Sequence, residues 1–448
     1  MRNYLSITLC SLLFTSCASL SPNLEIDNNK YLDTPLKTLD YEQRVLSLDE
    51  FIVDKNLKNI IDRVLENNKD IQIALLNIEA SKALYRVEES ALYPKVDANG
   101  GFSREKRDST ISNNYKANLS LSYEIDLFGK IRSLNESAKN SFLATKYAQE
   151  TTKLSLISQT ISSYLSLLEN IELLQTFKDL EKNLSSVYTL IDKKHSLGSV
   201  SKDEKLSSFA SLKEVENSIL EYKTNIEKDI NSLELLSSQK FDLDLENLDL
   251  NSKILEDIKS GIASNVLLQR PDIIESEYKL KAKNANIGAA RAAFFPSISL
   301  TALGGFANPS LSSLFENSSR TWSFSPSISI PIFNMGENRA KLKYSEIETQ
   351  KALLEYEKSI ETAFYEVNNV LSTKKSISTR INNQEDIVKA LEESYTIALK
   401  SYKIGYGTYL NMLISQREYI NSLKTLKSLK FLELENKNEL FKALGGKF

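Results

Sequence analysis

Two stretches of the chain alternate apolar and polar residues with a period of two, which is typical of β-strands that present different faces to different surroundings. Between Tyr115 and Asp126 every odd position is apolar and every even position is polar. Between Trp322 and Ile330 the apolar positions alternate with serines. A less strictly alternating segment precedes each stretch, at Val96 to Arg104 and at Ile298 to Phe306. The pattern predicts four strands, arranged as two hairpins.

The two hairpins belong to the two copies of an internal repeat. Leu92 to Val96 corresponds to Phe294 to Ile298, and Gly198 corresponds to Gly405, in each case about 200 residues later. Each copy has the same predicted order: helix, proline, two strands, a Phe-containing corner, a very long helix, a glycine turn and a returning helix. The chain is therefore interpreted as a tandem duplication.

Each copy contains one helix of unusual length. Neither Gly nor Pro occurs from Lys130 to Leu197 or from Glu337 to Ile404. A continuous helix over either stretch would be about 100 Å long at ~1.5 Å per residue. Shorter helices are predicted at about 55–92, 201–239, 271–293 and 408–444. The second long helix has a heptad pattern, which predicts coiled-coil packing, at Leu353, Tyr356, Ile360, Ala363, Val367, Val370, Lys374, Ile377, Ile381, Gln384, Val388, Leu391, Tyr395, Ala398 and Tyr402.

Composition excludes several classes of protein. A mean hydropathy of -0.29 with 26% charged residues excludes a polytopic helical membrane protein. The net charge of -3 lacks the basic excess that nucleic-acid binding requires. The chain has one histidine, His195, and none of the common catalytic motifs. We therefore expect no enzymatic activity, no metal site, no cofactor and no nucleic-acid partner.

The N-terminus has the pattern of a lipoprotein signal peptide. Arg2 is followed by an apolar stretch from Leu5 to Phe14 and then by small residues before Cys17. Phe14-Thr15-Ser16-Cys17 resembles the bacterial lipobox, which implies cleavage before Cys17 and its acylation; a generic signal peptide with an incidental cysteine is the alternative. The chain is accordingly divided into a signal peptide (1–16), a lipid-anchored N-terminal segment (17–54), repeat 1 (55–240, strands at about 95–127), an equatorial linker (241–270) and repeat 2 (271–448, strands at about 297–332).

The predicted strands fit an outer-membrane barrel. Their length matches the roughly 9 to 11 residues of a tilted membrane strand, and Tyr115, Tyr123 and Trp322 lie near strand ends, where aromatic girdles occur. A soluble sandwich of two half-buried hairpins is the alternative. Four strands cannot close a barrel, and open edges are not tolerated in lipid. The chain must then form a dimer with eight strands or a trimer with twelve, of which only the larger leaves a lumen.

The duplicated hairpins, the lipobox and the motifs SYEIDLFGKIRS, LLQRPDI, PIFNMGENRA and KALGG together resemble the outer-membrane efflux factors of the TolC and OprM type, particularly their lipoprotein branch. The resemblance implies a mainly helical homotrimer with a small β part. Its long-helix hairpins would form an α-barrel in the periplasm of a Gram-negative bacterium, continued by a twelve-stranded outer-membrane β-barrel with four strands per chain. It further implies a periplasmic adaptor and an inner-membrane pump of the resistance-nodulation-division class as partners.

The resemblance also implies two sites. The turns Leu197-Gly198-Ser199 and Ile404-Gly405-Tyr406 match the hairpin tips that contact the adaptor, although glycine also simply ends a helix. The periplasmic aperture would lie just after the second tip. The family commonly has a carboxylate at the position of Ile414, and this chain departs from that pattern. We therefore expect apolar closure by Leu410 and Ile414, with Arg417 pairing to a neighbouring helix; Ile414 as ordinary inter-helix core is the alternative.

The implied function is a passive outer-membrane exit duct for small toxic compounds and antibiotics in a tripartite efflux pump. A type I protein-secretion duct would have a similar body, but Cys17 favours small-molecule efflux. A lipid-anchored coiled-coil tether is an alternative from another class; it would account for the helices but gives no reason for two alternating hairpins.

Overall fold

A computed structural model of the chain describes residues 20–24, 46–241, 245, 248–258 and 264–447. The predicted signal peptide, Cys17 and most of the acidic stretch of the linker lie outside these residues. The described part is mainly helical with one small sheet, as predicted. The described residues divide into two compact units: the first comprises 20–24, 75–148 and 272–359, and the second comprises the described residues within 46–74, 149–271 and 360–447.

The first unit contains a four-stranded antiparallel sheet. Its strands are β1 (Lys95–Arg107), β2 (Thr110–Ile125), β3 (Ser297–Asn308) and β4 (Arg320–Ser329), in that spatial order. The two predicted hairpins, β1–β2 and β3–β4, are both present. Pairing of β2 with β3 joins the two copies of the repeat into one sheet.

The register of the sheet places the apolar positions of all four strands in the same rows. Leu121, for example, pairs with Val96 on one side and Ala302 on the other, and Ala302 pairs with Phe324. Because directly paired residues point to the same side of a sheet, one face of the sheet is apolar from edge to edge. This apolar face comprises Val96, Ala98, Gly100 and Phe102 of β1, Tyr115, Ala117, Leu119, Leu121, Tyr123 and Ile125 of β2, Ile298, Leu300, Ala302, Gly304 and Phe306 of β3, and Trp322, Phe324, Pro326 and Ile328 of β4.

The polar face carries the alternate positions, and one of its residues must be glycine. A Cβ at Gly305 would lie 2.3 Å from the carbonyl oxygen of Ala117 and 2.5 Å from Cα of Asn118, whereas a Cβ at the adjacent Gly304 would meet nothing within 4 Å. The close approach of β2 to β3 therefore depends on the missing side chain of Gly305.

The described helices begin and end close to the predicted positions, apart from a short first helix that was not predicted. They are α1 (Leu48–Phe51), α2 (Lys55–Asn67), α3 (Lys69–Ser90), α4 (Lys130–Ser196), α5 (Lys202–Ser237), α6 (Pro271–Ala292), α7 (Glu337–Lys403) and α8 (Tyr409–Ala443). The long helices α4 and α7 each contain 67 residues. Short 3₁₀ turns lie at Ser264–Gln269 and Asn317–Ser319. Within the described ranges, no helix has both the length and the apolar composition needed to cross a membrane.

One predicted helix is interrupted. The stretch predicted as continuous from about residue 55 to 92 ends at Asn67 and begins again at Lys69. Asn68 between them is extended; its Oδ1 accepts hydrogen bonds from the backbone of Asp70 at 2.8 Å and Ile71 at 3.2 Å. Its Nδ2 donates to the carbonyl of Leu236 at 2.8 Å. The side chain therefore caps the second helix and binds α5 at the same time.

The buried side of α7 follows its heptad, which lies mostly in the second unit. Of the fifteen predicted positions, ten are buried: Tyr356, Ile360, Ala363, Val367, Val370, Ile377, Ile381, Val388, Tyr395 and Tyr402. The polar positions Lys374 and Gln384 are half-buried, and each bonds to another segment of the unit. Phe51 and Phe441 stack with ring centroids 4.4 Å apart within a larger apolar cluster. The heptad is thus a packing seam, as predicted.

Candidate functional site

The apolar face of the sheet is largely uncovered within one chain. Trp322 is 83% exposed, Ile328 66% and Leu119 58%. Near the turn end of the strands the face carries aromatic rings, with the centroids of Phe102 and Tyr115 4.6 Å apart. An exposed apolar face of this kind marks a surface that is covered by a membrane or by a partner protein.

Both edges of the sheet are open among the described residues. β1 pairs only with β2, and β4 pairs only with β3. Along β4 every residue is exposed, and along β1 all but Asp97 are exposed. An edge of ten or more residues with unpaired amide and carbonyl groups is a template for another strand.

The opposite, polar face of the sheet is mainly neutral. Asn99 Nδ2 donates to Ser120 Oγ at 3.0 Å across the first hairpin. Serines line β4 on this face. At the helix end of β2, Glu124 Oε1 lies 3.1 Å from Nζ of Lys130. The face can therefore contact water without offering a strongly charged binding site.

The two predicted hairpin tips have the same backbone geometry. At the first tip, Gly198 has a φ of +72° and its N–H donates to the carbonyl of His195 at 2.9 Å, while Ser199 N–H donates to that of Lys194 at 2.8 Å. At the second tip, Gly405 has a φ of +88°, and the equivalent bonds run from Gly405 to Tyr402 and from Tyr406 to Ser401. Both helices therefore end in a Schellman motif.

This motif leaves the tip side chains on the surface. Leu197 is 80% exposed, Ile404 72% and Tyr406 90%. The apolar and aromatic character of these exposed residues at two equivalent turns suits them to contact another protein.

A polar network lies behind the tips. The hydroxyl of Tyr402, near the end of α7, donates to Glu204 Oε2 in the first turn of α5 at 3.2 Å. Nζ of Lys194 lies 4.6 Å from the centroid of the Tyr402 ring. Burial and the negative charge of Glu204 raise the pKa of Tyr402, so its hydroxyl stays protonated and keeps this donor role. This network was not predicted from the sequence, in which Tyr402 was interpreted only as the last heptad position. The signal that could have indicated the network is the hydroxyl group of an aromatic residue at that position.

The three aperture candidates lie on one face of α8. Leu410, Ile414 and Arg417 are four and three residues apart, and within the chain Leu410 is 62% exposed and Ile414 47%. Ile414 is therefore not part of the core of its own chain. Nη2 of Arg417 lies 3.7 Å from Oε2 of Glu214 on the neighbouring helix α5. The same helix begins at the buried Tyr409, whose pKa is raised by burial.

No group of three or more His, Cys, Asp or Glu side chains with metal-binding geometry occurs in the described part of the chain.

Most of the chain matches a known protein family. Residues 60–238 and 262–446 match the family described as outer membrane efflux proteins. The chain belongs to this family. The two matched stretches correspond to the two copies of the internal repeat. The predicted function, an outer membrane efflux component, is confirmed.

Curated relatives carry names from different efflux systems. The antibiotic efflux pump outer membrane protein ArpC of Pseudomonas putida is 34% identical over 423 residues, which cover 92% of this chain and 87% of ArpC. The cation efflux system protein CusC of Escherichia coli O157:H7 is 34% identical over 401 residues, covering 88% and 87% of the two chains.

Solved structures of the family superpose closely on this efflux protein. A crystal structure of CusC is 31% identical, covers 96% of this chain and 100% of its own, and has a TM-score of 0.85. The Campylobacter jejuni CmeC outer membrane channel is 30% identical, covers 96% and 95%, and has a TM-score of 0.84. These relatives are channel and transport proteins.

Proposed function

We propose that this efflux protein is the passive exit duct of a tripartite pump, built as a homotrimer whose twelve strands close one outer-membrane barrel. The observation that carries the proposal is the sheet with one apolar face, one neutral polar face and two open edges. Lipid would cover the apolar face, and the polar face would line the lumen. Since open edges are not tolerated in hydrocarbon, β4 of one copy must pair with β1 of the next.

The strand number supports closure by copies of the same chain. Four antiparallel strands leave β1 and β4 running in opposite directions, so each added copy continues the antiparallel pattern without a break. Two copies would give eight strands, whose interior is filled by side chains, whereas three give twelve and leave a lumen. The polar face carries serines along β4, and a lining of small polar residues suits the larger barrel, which has a lumen.

For the cargo, we favour small toxic compounds and antibiotics; ArpC is named for antibiotic efflux. The mainly neutral polar face of the sheet, with serines along β4, would give a permissive lining. CusC, named for cation efflux, makes export of a cation the second candidate. The described residues contain no acidic, His or Cys cluster to support it, so any cation selection would reside in another component. The duct itself would perform no catalysis.

The exposed tips are assigned to the partners. Leu197, Gly198 and Ser199, together with Ile404, Gly405 and Tyr406, would contact a periplasmic adaptor, which would connect the duct to an inner-membrane transporter of the resistance-nodulation-division class. The repeated Schellman geometry supports this assignment, because an adaptor that grips one tip meets an equivalent backbone at the other. Leu410, Ile414 and Arg417 would line the periplasmic aperture between the tips and the tunnel.

Acylation of Cys17 would add a lipid anchor to the barrel. The lipobox pattern supports it, and one lipid chain adds membrane affinity without itself spanning the bilayer. Incorporation of labelled palmitate into the wild-type chain, and its loss in Cys17→Ser, tests this part separately.

Disulfide trapping of the two sheet edges tests the proposed barrel. In a Cys17→Ser background, Asn99→Cys on β1 is combined with Ser323→Cys, Ser325→Cys or Ser327→Cys on β4; all four positions lie on the polar face. A closed trimer gives crosslinked species of two and three chains and nothing larger, and light scattering in detergent gives three times the mass of one purified chain. Each single-cysteine variant is the control. A limit of two chains, or a chain that is monomeric without detergent, contradicts the proposal.

A further inference from the structure

The two edge strands show the same order of residue types towards the turn end of the sheet. On β1 the apolar face runs from Val96 to Phe102 and then continues with Arg104 and Lys106. On β4, read towards the same end, it runs from Ile328 to Trp322 and then reaches Arg320. On both edges an aromatic residue is thus followed by a basic one, two positions further on the same face.

The strand register fixes the face of these basic residues. Phe102 pairs with Tyr115 and Arg104 pairs with Asn113, each two residues apart along its strand. Arg320 pairs with Phe306, which belongs to the apolar face. Arg104, Lys106 and Arg320, called here the basic girdle, therefore lie on the apolar side of the sheet rather than on its polar side.

The basic girdle has no acidic neighbour on its own face. All three side chains are exposed, and none forms an ion pair within the described part of the chain. The other described positions of the face at this end are neutral: Ile111, Asn113 and Asn308. Glu105 alternates to the polar face, and Asp108 and Glu316 belong to the connecting turn and loop. The positive charge on this face is thus locally uncompensated.

We infer that the basic girdle binds the phosphate groups of an anionic lipid at the outward boundary of the membrane. Aromatic girdles mark the level where hydrocarbon meets headgroups, so side chains just beyond them on the lipid-facing side lie among the headgroups. Arginine binds phosphate through two parallel N–H···O bonds, and lysine adds a mobile point charge. The turn ends of the strands are opposite to the ends that join the helices, which assigns the lipid to the leaflet away from the periplasm.

The arrangement of the girdle rests on the proposed barrel. When β4 of one copy pairs with β1 of the next, Arg320 of the first copy comes to the same side as Arg104 and Lys106 of the second. The three charges would then form one cluster at each junction between copies. A phosphorylated lipid bound there would contact two chains and cover the junction from the membrane side.

Lipid retention by the purified full-length chain tests the inference. The protein is mixed in detergent with a bisphosphorylated glycolipid or with its dephosphorylated form, separated from free micelles, and assayed for glycolipid per chain. The test variant is Arg104→Gln/Lys106→Gln/Arg320→Gln. The control variant, Lys95→Gln/Arg107→Gln/Lys116→Gln, removes the same charge from the polar face. We expect retention to fall at least about tenfold in the test variant and to change less than about twofold in the control.

Several outcomes would overturn the inference: equal loss in both variants, equal retention of the dephosphorylated glycolipid, or complete displacement by inorganic phosphate at an equal concentration, which would indicate an ion site rather than a lipid headgroup. If the test variant fails to fold, the comparison of the two glycolipids on the unmodified chain decides the question. The mass of each complex is measured in parallel. A trimer that retains no phosphorylated lipid overturns only this inference, whereas absence of a trimer overturns the proposed barrel.

Discussion

The hydroxyl of Tyr402 donates a hydrogen bond of 3.2 Å to the carboxylate of Glu204. The two residues are 198 positions apart and belong to different copies of the repeat. Tyr402 ends the long helix α7 just before the second tip, and Glu204 begins α5 just after the first. The bond therefore joins the two tips of one chain, next to the start of α8, which carries the proposed aperture residues.

Removal of this hydroxyl should loosen the tips without unfolding the helices. A hydrogen bond to a charged group contributes about 1.5 to 3 kcal/mol, and Tyr402→Phe keeps the ring that Lys194 contacts. We expect higher single-channel open probability in planar bilayers and greater sensitivity of cells to a large antibiotic. Tyr406→Phe is the matched control, because Tyr406 is 90% exposed at the same tip. An unchanged open probability in Tyr402→Phe would mean that the bond does not restrain opening.

The aperture residues give a second prediction. If Leu410 and Ile414 of three copies close the duct by dewetting, Ile414→Ser should admit water and increase passive leakage of antibiotics. Asn411→Ser, on an exposed neighbouring position of α8, is the control. If Ile414 instead packs between copies, the same variant should lower the thermal stability of the trimer and leave leakage unchanged. Leakage and melting are therefore measured on the same preparation.

Much of this fold could be predicted because its patterns are long and repetitive. The alternation between Tyr115 and Asp126 indicated a two-sided strand, and the structure places those apolar residues on one continuous face. The heptad from Leu353 to Tyr402 indicated which side of α7 is buried. Periodicity of this kind reports which face of a strand or helix is apolar, since a shift of one residue in a strand would move every side chain to the other face.

The parts that were missed depend on contacts between distant residues. The break at Asn68 is stabilised by the carbonyl of Leu236, 168 residues away, and no local signal distinguishes that asparagine from one inside a helix. β1 was predicted to end at Arg104, yet its pairing continues to Arg107 opposite Thr110. The last residues of β1 are charged on both faces of the sheet. They therefore show no alternation of apolar and polar positions, although the backbone continues as a strand.

The adjacent glycines of β3 give a third prediction. Gly305→Ala would place a Cβ 2.3 Å from the carbonyl oxygen of Ala117, so β2 and β3 would have to separate. We expect a loss of about 1 to 3 kcal/mol of stability, seen as a lower melting temperature of the trimer in detergent. Gly304→Ala is the control, with nothing within 4 Å of its Cβ. Equal melting of the two variants would show that the strands tolerate the added methyl group.

One oxygen of a partly buried carboxylate in α8, that of Glu435, has no hydrogen-bond donor, and this arrangement gives a prediction about pH. Ser162 Oγ donates to Glu435 Oε1 at 2.5 Å, whereas Oε2 of Glu435 and Oδ1 of the fully buried Asn438 have no hydrogen-bond partner. Two neighbouring acceptors without a donor favour a proton on Glu435. Burial raises the pKa of Glu435, although hydrogen bonds from Ser162 and Asn438 oppose that shift.

The raised pKa predicts how Glu435 affects stability. Since the pKa in the folded chain lies above the unfolded value of about 4.3, the proton stabilises the fold fully below that value, and this contribution is lost as the pH rises through the folded pKa. Glu435→Gln supplies a permanent neutral donor and cannot lose it. Its melting temperature should exceed that of the wild type by more at about pH 8 than at about pH 5. Glu418→Gln, which removes an exposed carboxylate from the same helix, should show no such trend. A difference between Glu435→Gln and wild type that is independent of pH would show that Glu435 keeps the same charge in the folded and unfolded chains.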